Sequence, residues 1–398
     1  MIQGTAKLVV DLGNSETRVI TMFGKNSKTG ALRRKSTKMR NRYAEYNPRI
    51  ALADPINETN SYKFHATGIV DGEEIDGEFL SGLIVDREYA HEAYRPTATK
   101  KKYNNITTLL GLHLAFLEGY RAIASIHGVG IEEVDVDWQV TVLLPPEDVD
   151  SGQLKIAETI RSIREISFSM PEVTKEIRVV DGGISVIPEG FAAFMGVTFL
   201  PGQKFREGYE HLMEDSVLIM DIGAGTTDFT VIEAGNPLEK TKFTENIGGN
   251  NVANTFRQIY NRDEGVKLTD RAAHQGVVQG TVRDGASTVD VTEKVAEAKS
   301  VISRSLVNSL ADFFETAGYN PRQINQLLVV GGGAQASEVE GIKPIAEYLV
   351  KEMRTYSPNI GLVDLPMEEK LDKETGKRIK STVSPRNLNI KGAAILSE

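Results

Sequence analysis

The chain has 398 residues, 40% of them hydrophobic and 25% charged, which is enough for two sizeable domains with ordinary globular cores. A net charge of −9 and a pI near 5.4 argue against a non-specific grip on nucleic-acid phosphates. The absence of cysteine excludes disulfides, thiolate catalysis and thiolate metal sites, and it fits a reducing, cytoplasmic setting.

In chain order, Met1-Ile2-Gln3-Gly4 runs into a first strand without a basic n-region or an apolar h-region, and no apolar run approaches 18 residues. Neither export nor a membrane span is expected, and Ala393 to Glu398 is too short for an amphipathic anchor. The first strand leads into Asp11-Leu12-Gly13-Asn14-Ser15-Glu16-Thr17-Arg18. Lys25 to Arg42 carries eight cations and no acid, and reads as a solvated loop or a partner-contact patch. Residues 50 to 90 read as irregular and strand-rich, with an acidic patch at Asp71 to Glu78. A long helix is predicted from Ile106 to His127, with Leu109, Leu112, His113, Phe116, Leu117 and Tyr120 on one stripe. Val134 to Leu144 reads as a buried strand closed by Pro145-Pro146. Pro188 to Met195 reads as a tightly packed helix opened by proline.

The second half opens with the apolar run Val217 to Met220 and the turn Asp221-Ile222-Gly223-Ala224-Gly225-Thr226-Thr227-Asp228. Gly248-Gly249 follows, then a helical stretch from Val291 to Thr316. Leu327 to Val330 is a strand ending in Gly331-Gly332-Gly333-Ala334, and a helix is predicted from Ser337 to Arg354. Met367 to Lys380 reads as a charged, exposed loop, and Pro385 to Leu396 as a short helical cap. The six histidines show no ligand spacing.

The two Asp-Gly turns echo each other: Asp, Gly, a small residue and Thr keep the same offsets. Such an echo points to two similar halves, each with a tight turn and a carboxylate at its entrance. Turns of this kind expose successive backbone N–H groups, which suit an anion, while the carboxylates suit a hydrated cation. Two such turns facing one another would grip the phosphates of a Mg-nucleotide. Gly223-x-Gly225 imitates a dinucleotide fingerprint, but that motif needs a helix to follow, and Thr227 to Ile232 alternates like a strand. Three consecutive glycines at 331–333 let a flat purine approach the backbone.

With these motifs in order, the chain resembles the actin–Hsp70–sugar kinase superfamily, and within it the bacterial ParM/StbA-type actin-like proteins of plasmid segregation. The resemblance implies an α/β, actin-like (ribonuclease H-like) two-domain fold with a nucleotide cleft between the halves. Residues 1–205 would form domain I, with 382–398 returning to it, and 206–381 domain II. It also implies that Asp11 and Asp221 hold Mg²⁺, mostly through its waters. Backbone N–H groups of Gly13, Asn14 and Ser15, and of Gly223, Ala224, Gly225, Thr226 and Thr227, would bind β- and γ-phosphates. Arg18, where these relatives usually carry Lys, would neutralise phosphate charge. Glu189 would orient the attacking water or accept its proton, Asp228 would add a polar group near the γ-phosphate, and catalysis would rest on Glu189, Asp221 and Asp228. Gly248, Gly249, Gly331, Gly332, Gly333 and Ala334 would line ribose and adenine.

The activity implied is that of an ATP (or GTP) hydrolase that forms a filament homopolymer and moves plasmid DNA indirectly, through a ParR-like DNA-binding adaptor. The alternatives on the same scaffold are an Hsp70-type chaperone and a small-molecule kinase or phosphatase. The first would need a substrate-binding domain after the last helix, where the sequence reaches Glu398. The second would need a polar substrate pocket, and no such constellation stands out.

Overall fold

The computed structural model of the protein describes residues 1–25, 32–48, 61–89, 92–94, 101–169, 172–284, 287–334, 341–371 and 378–398. The chain divides into two compact units. One comprises residues 1–192, 200–204 and 390–398, and the other residues 193–199 and 205–389. Divisions fall at 192/193 inside helix Glu189–Thr198, at 199/200 and 204/205, and at 389/390 inside helix Leu388–Leu396; the sequence reading places its boundaries at 205/206 and 381/382.

The first unit is built on a five-stranded sheet in the order Arg178–Pro188, Val134–Leu144, Ile2–Leu12, Glu16–Lys25, Leu32–Arg40. Ile2–Leu12 lies at its centre, antiparallel to Glu16–Lys25 and parallel to Val134–Leu144. A central strand meets protein on both faces, which is why Leu8 to Leu12 are buried without alternation. Helix Ile106–His127 packs on this sheet. Asn105 caps it, its side chain accepting from Thr107 N–H at 3.1 Å, and Gly128 ends it in the left-handed region at φ 66°. Gly119 lets the helix come close to Trp138, which meets Phe116 and Tyr120 edge-on at 5.7 and 5.2 Å.

The whole predicted stripe of that helix is buried, and so are Leu110, Leu114, Ala115 and Ile123 on its other faces. The second cover is strand Ser61–Val70 of a small sheet that also contains Glu73–Gly82 and Tyr43–Glu45. That strand runs so close that a Cβ on Gly68 would stand 2.7 Å from Leu109. Among the described residues this helix is the one long and apolar enough to cross a membrane, and 78% of its most apolar window is buried inside the protein. The acidic stretch Asp71 to Glu78 forms the turn and return strand of the same hairpin. Lys155 meets Asp71 at 3.0 Å, and Lys63 meets Glu78 at 3.1 Å.

The second unit repeats the arrangement. Its main sheet runs Asn236–Pro237, Thr227–Glu233, Ser216–Ile222, Gln326–Val330, Gly361–Leu362, with Phe243–Glu245 also pairing to Thr227–Glu233. The central strand Ser216–Ile222 is again antiparallel to the next strand in sequence and parallel to a later one. Helices Gly249–Glu264, Thr292–Thr316 and Ile345–Met353 supply the rest of its core through Val252, Phe256, Ile302, Leu306, Leu349 and Met353.

Three expected elements differ. Lys25 to Arg42 is not a solvated loop: Leu32–Arg40 is the edge strand of the first sheet, and Asn26 to Ala31 lie outside the described residues. Cations suit an edge because they discourage a further strand from pairing, and their density hid the strand period. Arg34 pairs with Glu398, and Arg40 and Arg42 both pair with Asp86. Met367–Leu371 and Arg378–Thr382 form an antiparallel hairpin where a loop was expected, with residues 372–377 outside the described set. The helix expected from Ser337 begins only at Ile345, because Gly341 (φ 91°) and Pro344 break the helical path; 335–340 lie outside the described residues.

His113 gives the first unit a pH dependence. Its ring is buried, Nε2 lies 2.7 Å from the Thr67 carbonyl, and burial pushes its pKa down to about 4. In the unfolded chain the ring takes up a proton near the ordinary value of 6.5, so the unfolded state binds more protons between pH 6.5 and 4. Stability from this group is full above pH 6.5 and is lost as pH falls through that window. Thermal melts at pH 7 and pH 5 should show wild type losing more stability than His113→Gln, which has no proton to take up.

Candidate functional site

In the first unit, Asp11 is the penultimate residue of the central strand and Arg18 faces it across the hairpin register. Asp11 is 5% exposed, and its carboxylate lies 3.6 Å from the Arg18 guanidinium, which also donates to Glu16 at 3.0 Å. Pro188 closes the edge strand, and Glu189 opens the next helix and is itself buried. Lys102, in a short 3₁₀ turn before helix Ile106–His127, donates to Glu189. Burial, then the charge of Glu189, push the Asp11 carboxyl up to about 6 against the pull of Lys102 and Arg18. Asp11, Glu16 and Glu189 thus outnumber Arg18 and Lys102 by one negative charge.

The turn itself is held from outside. Asn41 donates its side-chain amide to Gly13 O at 2.6 Å and its backbone N–H to Ser15 O at 3.1 Å. Those carbonyls are therefore taken, while the N–H groups of Asn14 and Ser15 have no acceptor among the described residues. Both residues are exposed. A turn whose carbonyls are tied back and whose N–H groups are open is suited to an anion.

In the second unit Asp221 is the penultimate residue of its strand with Asp228 opposite, and Ile222 is opposite Thr227. This is the register of Asp11 with Arg18 and Leu12 with Thr17. Gly223 N–H closes the turn on Thr226 O at 2.8 Å. Here the first residues of helix Gly249–Glu264 tie the carbonyls: Gly249 N–H donates to Gly223 O at 2.9 Å and Asn250 N–H to Ala224 O at 2.8 Å. Gly248 packs so tightly on the turn that a Cβ there would lie 2.7 Å from Thr226 N. Thr227 Oγ1 donates to Ile247 O at 2.6 Å, and Thr244 Oγ1 donates to Asp228 at 2.6 Å. Asp221 and Asp228 are 4% and 7% exposed.

The glycine run completes this half. Gly331 has φ 90°, and a Cβ there would stand 2.3 Å from Asp221 Oδ1, so only glycine fits. Gly333 lies against Ile222 and Gly223, Gly249 against Gly333, and Gly332 against the Arg386 guanidinium. Ala334 ends the 3₁₀ turn Gly332–Ala334 and is buried. The structure thus brings Asp221, Gly223 to Asp228, Gly248, Gly249 and Gly331 to Ala334 together in one unit, and Asp11, Gly13 to Ser15, Arg18 and Glu189 in the other. Sequence reasoning missed Asn41, Lys102 and Asn389. Asn389 is buried and donates to Asp221 from the first turn of helix Leu388–Leu396. Their only signal is position: Lys102 precedes a long helix, and Asn389 opens the last one.

The profile of the archaeal MreB-like actin homologues, C-terminal part, matches residues 219–340. The chaperone DnaK of Thermus thermophilus is 24% identical over 187 residues, 38% of this chain, and the match spans only 29% of that relative's length. Among solved structures, the actin-like protein Alp7A aligns over 100% of this chain and 96% of its own, with TM-score 0.64 and 15% identity. The fold is actin-like. A 15-stranded ParM filament from Clostridium botulinum aligns over 99% of both chains at TM-score 0.58 and 14% identity. Bacillus thuringiensis ParM with AMPPNP aligns over 99% of this chain and 98% of its own, at TM-score 0.58 and 16% identity.

The Mg-nucleotide expected from the sequence has, around Asp11, residues whose chemistry would suit it. Among the described residues no three acids or histidines gather into a metal cage. Mg²⁺ does not need one, since it keeps several waters and takes one or two carboxylates along with phosphate oxygens. The excess negative charge around Asp11 and the open N–H groups of the turn beside it match the two halves of such a ligand.

The raised Asp11 pKa carries a measurable cost. Between pH 3.8 and 6 the folded carboxyl holds a proton that the unfolded one has lost, so stability falls as pH rises through this window and the penalty is full above it. Asp11→Asn keeps the shape and removes the charge. Without nucleotide it should be more stable than wild type at pH 8, by about 1–3 kcal/mol, with the gain shrinking at pH 5. Thermal melts at the two pH values check this, and an unchanged difference would mean that Asp11 pays no burial cost.

Proposed function

We propose that this protein is a nucleotide-driven, filament-forming ATPase of the actin-like type, with GTP as the alternative fuel. Its work is to segregate plasmid DNA in the cytoplasm through a DNA-binding adaptor of the ParR kind. The observation that carries the reading is the repeated hairpin. Each unit places a buried aspartate next to last in a central strand, at the same register, before a turn whose carbonyls are tied off. A sequence-tolerant anion cradle made twice in this way suits polyphosphate better than any single small anion.

The residues take the roles their surroundings allow. Asp11 and Asp221 would each contribute to the Mg²⁺ shell, and the metal would supply charge neutralisation at the phosphates. The N–H groups of Gly13 to Ser15 and of Ala224 to Thr227 bind phosphate oxygens, while that of Gly223, expected to join them, is spent inside its own turn on Thr226 O. Arg18, held by Asp11 and Glu16, adds a fixed positive charge. Glu189, buried and paired with Lys102, orients the attacking water or takes its proton. Asp228 adds a polar group near the γ-phosphate, and the packed glycines at 248–249 and 331–333 leave backbone for ribose and adenine. The solved ParM structures with AMPPNP and in a filament support nucleotide use and self-assembly as the reading for this fold.

Glu189→Ala should slow turnover about 10²-fold or more with little change in nucleotide affinity, because a water-orienting group acts in the transition state. Phosphate-release assays beside equilibrium binding separate the two, and equal losses would assign Glu189 a structural role. Pelleting with ATP against ADP tests assembly. Head-to-tail stacking of one subunit on the next does not close, so it yields filaments. Monomers only, with ATP, GTP and their non-hydrolysable analogues, would sink the filament reading.

DNA is reached through the adaptor, since an acidic chain gains little from counterion release. Neutralising Arg33, Arg34 and Lys35 on the edge strand should alter assembly or adaptor response, or nothing, without removing a DNA affinity of the protein's own. Tight, sequence-specific gel shifts by the purified protein at physiological salt would overturn this arrangement.

A further inference from the structure

Asn389, in the first turn of helix Leu388–Leu396, touches a site carboxylate of the second unit from a distant stretch of sequence. Its side-chain nitrogen Nδ2 donates to Asp221 Oδ2 across 168 residues of chain. A carboxylate only accepts, so this contact fixes the amide's orientation: nitrogen toward Asp221, oxygen away from it. The oxygen is then left over. Asn389 is 6% exposed, and its Oδ1 has no hydrogen-bond partner among the described residues. A buried amide oxygen left without a donor costs free energy, and native interiors rarely tolerate it unless something absent from the bare chain satisfies it. The missing donor must be an O–H or N–H that reaches a buried spot beside a carboxylate. A water in the shell of a bound cation has these properties: it is anchored by the metal that the carboxylate attracts, and it carries protons to give.

The segment leading to Asn389 is tied to the same half-site elsewhere. Gly331 N–H donates to Pro385 O at 3.3 Å, and Gly332 lies against the Arg386 guanidinium. Residues 385–389 therefore track the glycine loop and the Asp221 strand end together. Asn389 is also the last residue of its unit before the chain passes, within helix Leu388–Leu396, into the other.

We infer that Asn389 is a positioning residue for the cation shell: Nδ2 orients the Asp221 carboxylate, and Oδ1 accepts a hydrogen bond from a water on the Mg²⁺ that accompanies the nucleotide. The inference rests on the Mg-nucleotide reading above. It assigns to Asn389 a supporting contact of the kind whose loss weakens metal binding about 10- to 100-fold.

The test uses the full-length protein with a fluorescent ATP analogue and titrates MgCl₂. Wild type should bind the analogue more tightly as Mg²⁺ is added, with a defined half-saturating concentration. Asn389→Leu removes both hydrogen-bonding functions. It should raise the half-saturating Mg²⁺ concentration about 10-fold or more and leave binding in EDTA unchanged. Asn389→Asp keeps the shape but sets a second carboxylate beside Asp221. Without metal the like charges repel in a buried place, so its melting temperature at pH 8 should fall, and Mg²⁺ should raise it by more than it raises wild type. The two variants thus move the response to Mg²⁺ in opposite directions, which a purely structural role would not do. Lower melting temperatures in both, with the Mg²⁺ dependence of wild type kept, would overturn the inference and leave the nucleotide reading standing. Failure of wild type to bind the analogue with Mg²⁺ would instead overturn the nucleotide reading itself. Should Asn389→Leu not fold, the Mg²⁺-induced rise in Asn389→Asp decides alone: larger than wild type supports the inference, equal or smaller overturns it.

Discussion

A carboxylate buried at the end of a central strand is the constraint around which each unit is arranged. Asp11 and Asp221 stand where an antiparallel and a parallel partner flank the same strand, at 5% and 4% exposure. A charge there loses its hydration, and the cost can be met only by neighbours that donate or carry positive charge. The two units meet it differently. Around Asp11 the neighbours are cations, Arg18 and Lys102, and they fall short, so the carboxyl sits near pH 6. Beside Asp221 stands the neutral amide of Asn389. Around Asp11 this leaves a demand that a hydrated cation would satisfy.

The same constraint dictates the glycines. With Asp221 fixed, the loop after strand Gln326–Val330 must pass within 2.3 Å of its oxygen at the place where a side chain would begin, and Gly331 at φ 90° is the consequence. Gly248 is required for a related reason, since the start of helix Gly249–Glu264 supplies the N–H groups that hold the turn carbonyls. The glycines thus serve close packing around the turn.

What could be read from the sequence was what is local in it. The paired turns, the helix Ile106–His127 and the strands Val134–Leu144 and Gln326–Val330 each carry their own period or punctuation, and they fold where the pattern puts them. Strand Leu32–Arg40 was illegible because its residues serve an edge, where charge replaces apolar alternation. The hairpin Met367–Leu371 with Arg378–Thr382 was illegible for the same reason, as among the described residues it pairs with no larger sheet. Asn41, Lys102 and Asn389 escaped because each reaches its partner from tens to hundreds of residues away, and nothing in a single sequence marks such a contact.

Those long-range contacts also give the site its connection to the rest of the chain. Glu189, whose charge raises the Asp11 pKa, opens the helix within which the chain leaves the first unit, three residues before the division. Asn389, bonded to Asp221, stands at the last position before the chain leaves the second. Each buried carboxylate therefore interacts with a side chain on a helix that belongs to both units covalently. Protonation of Asp11 therefore changes the charge that Glu189 faces at the start of one of these helices.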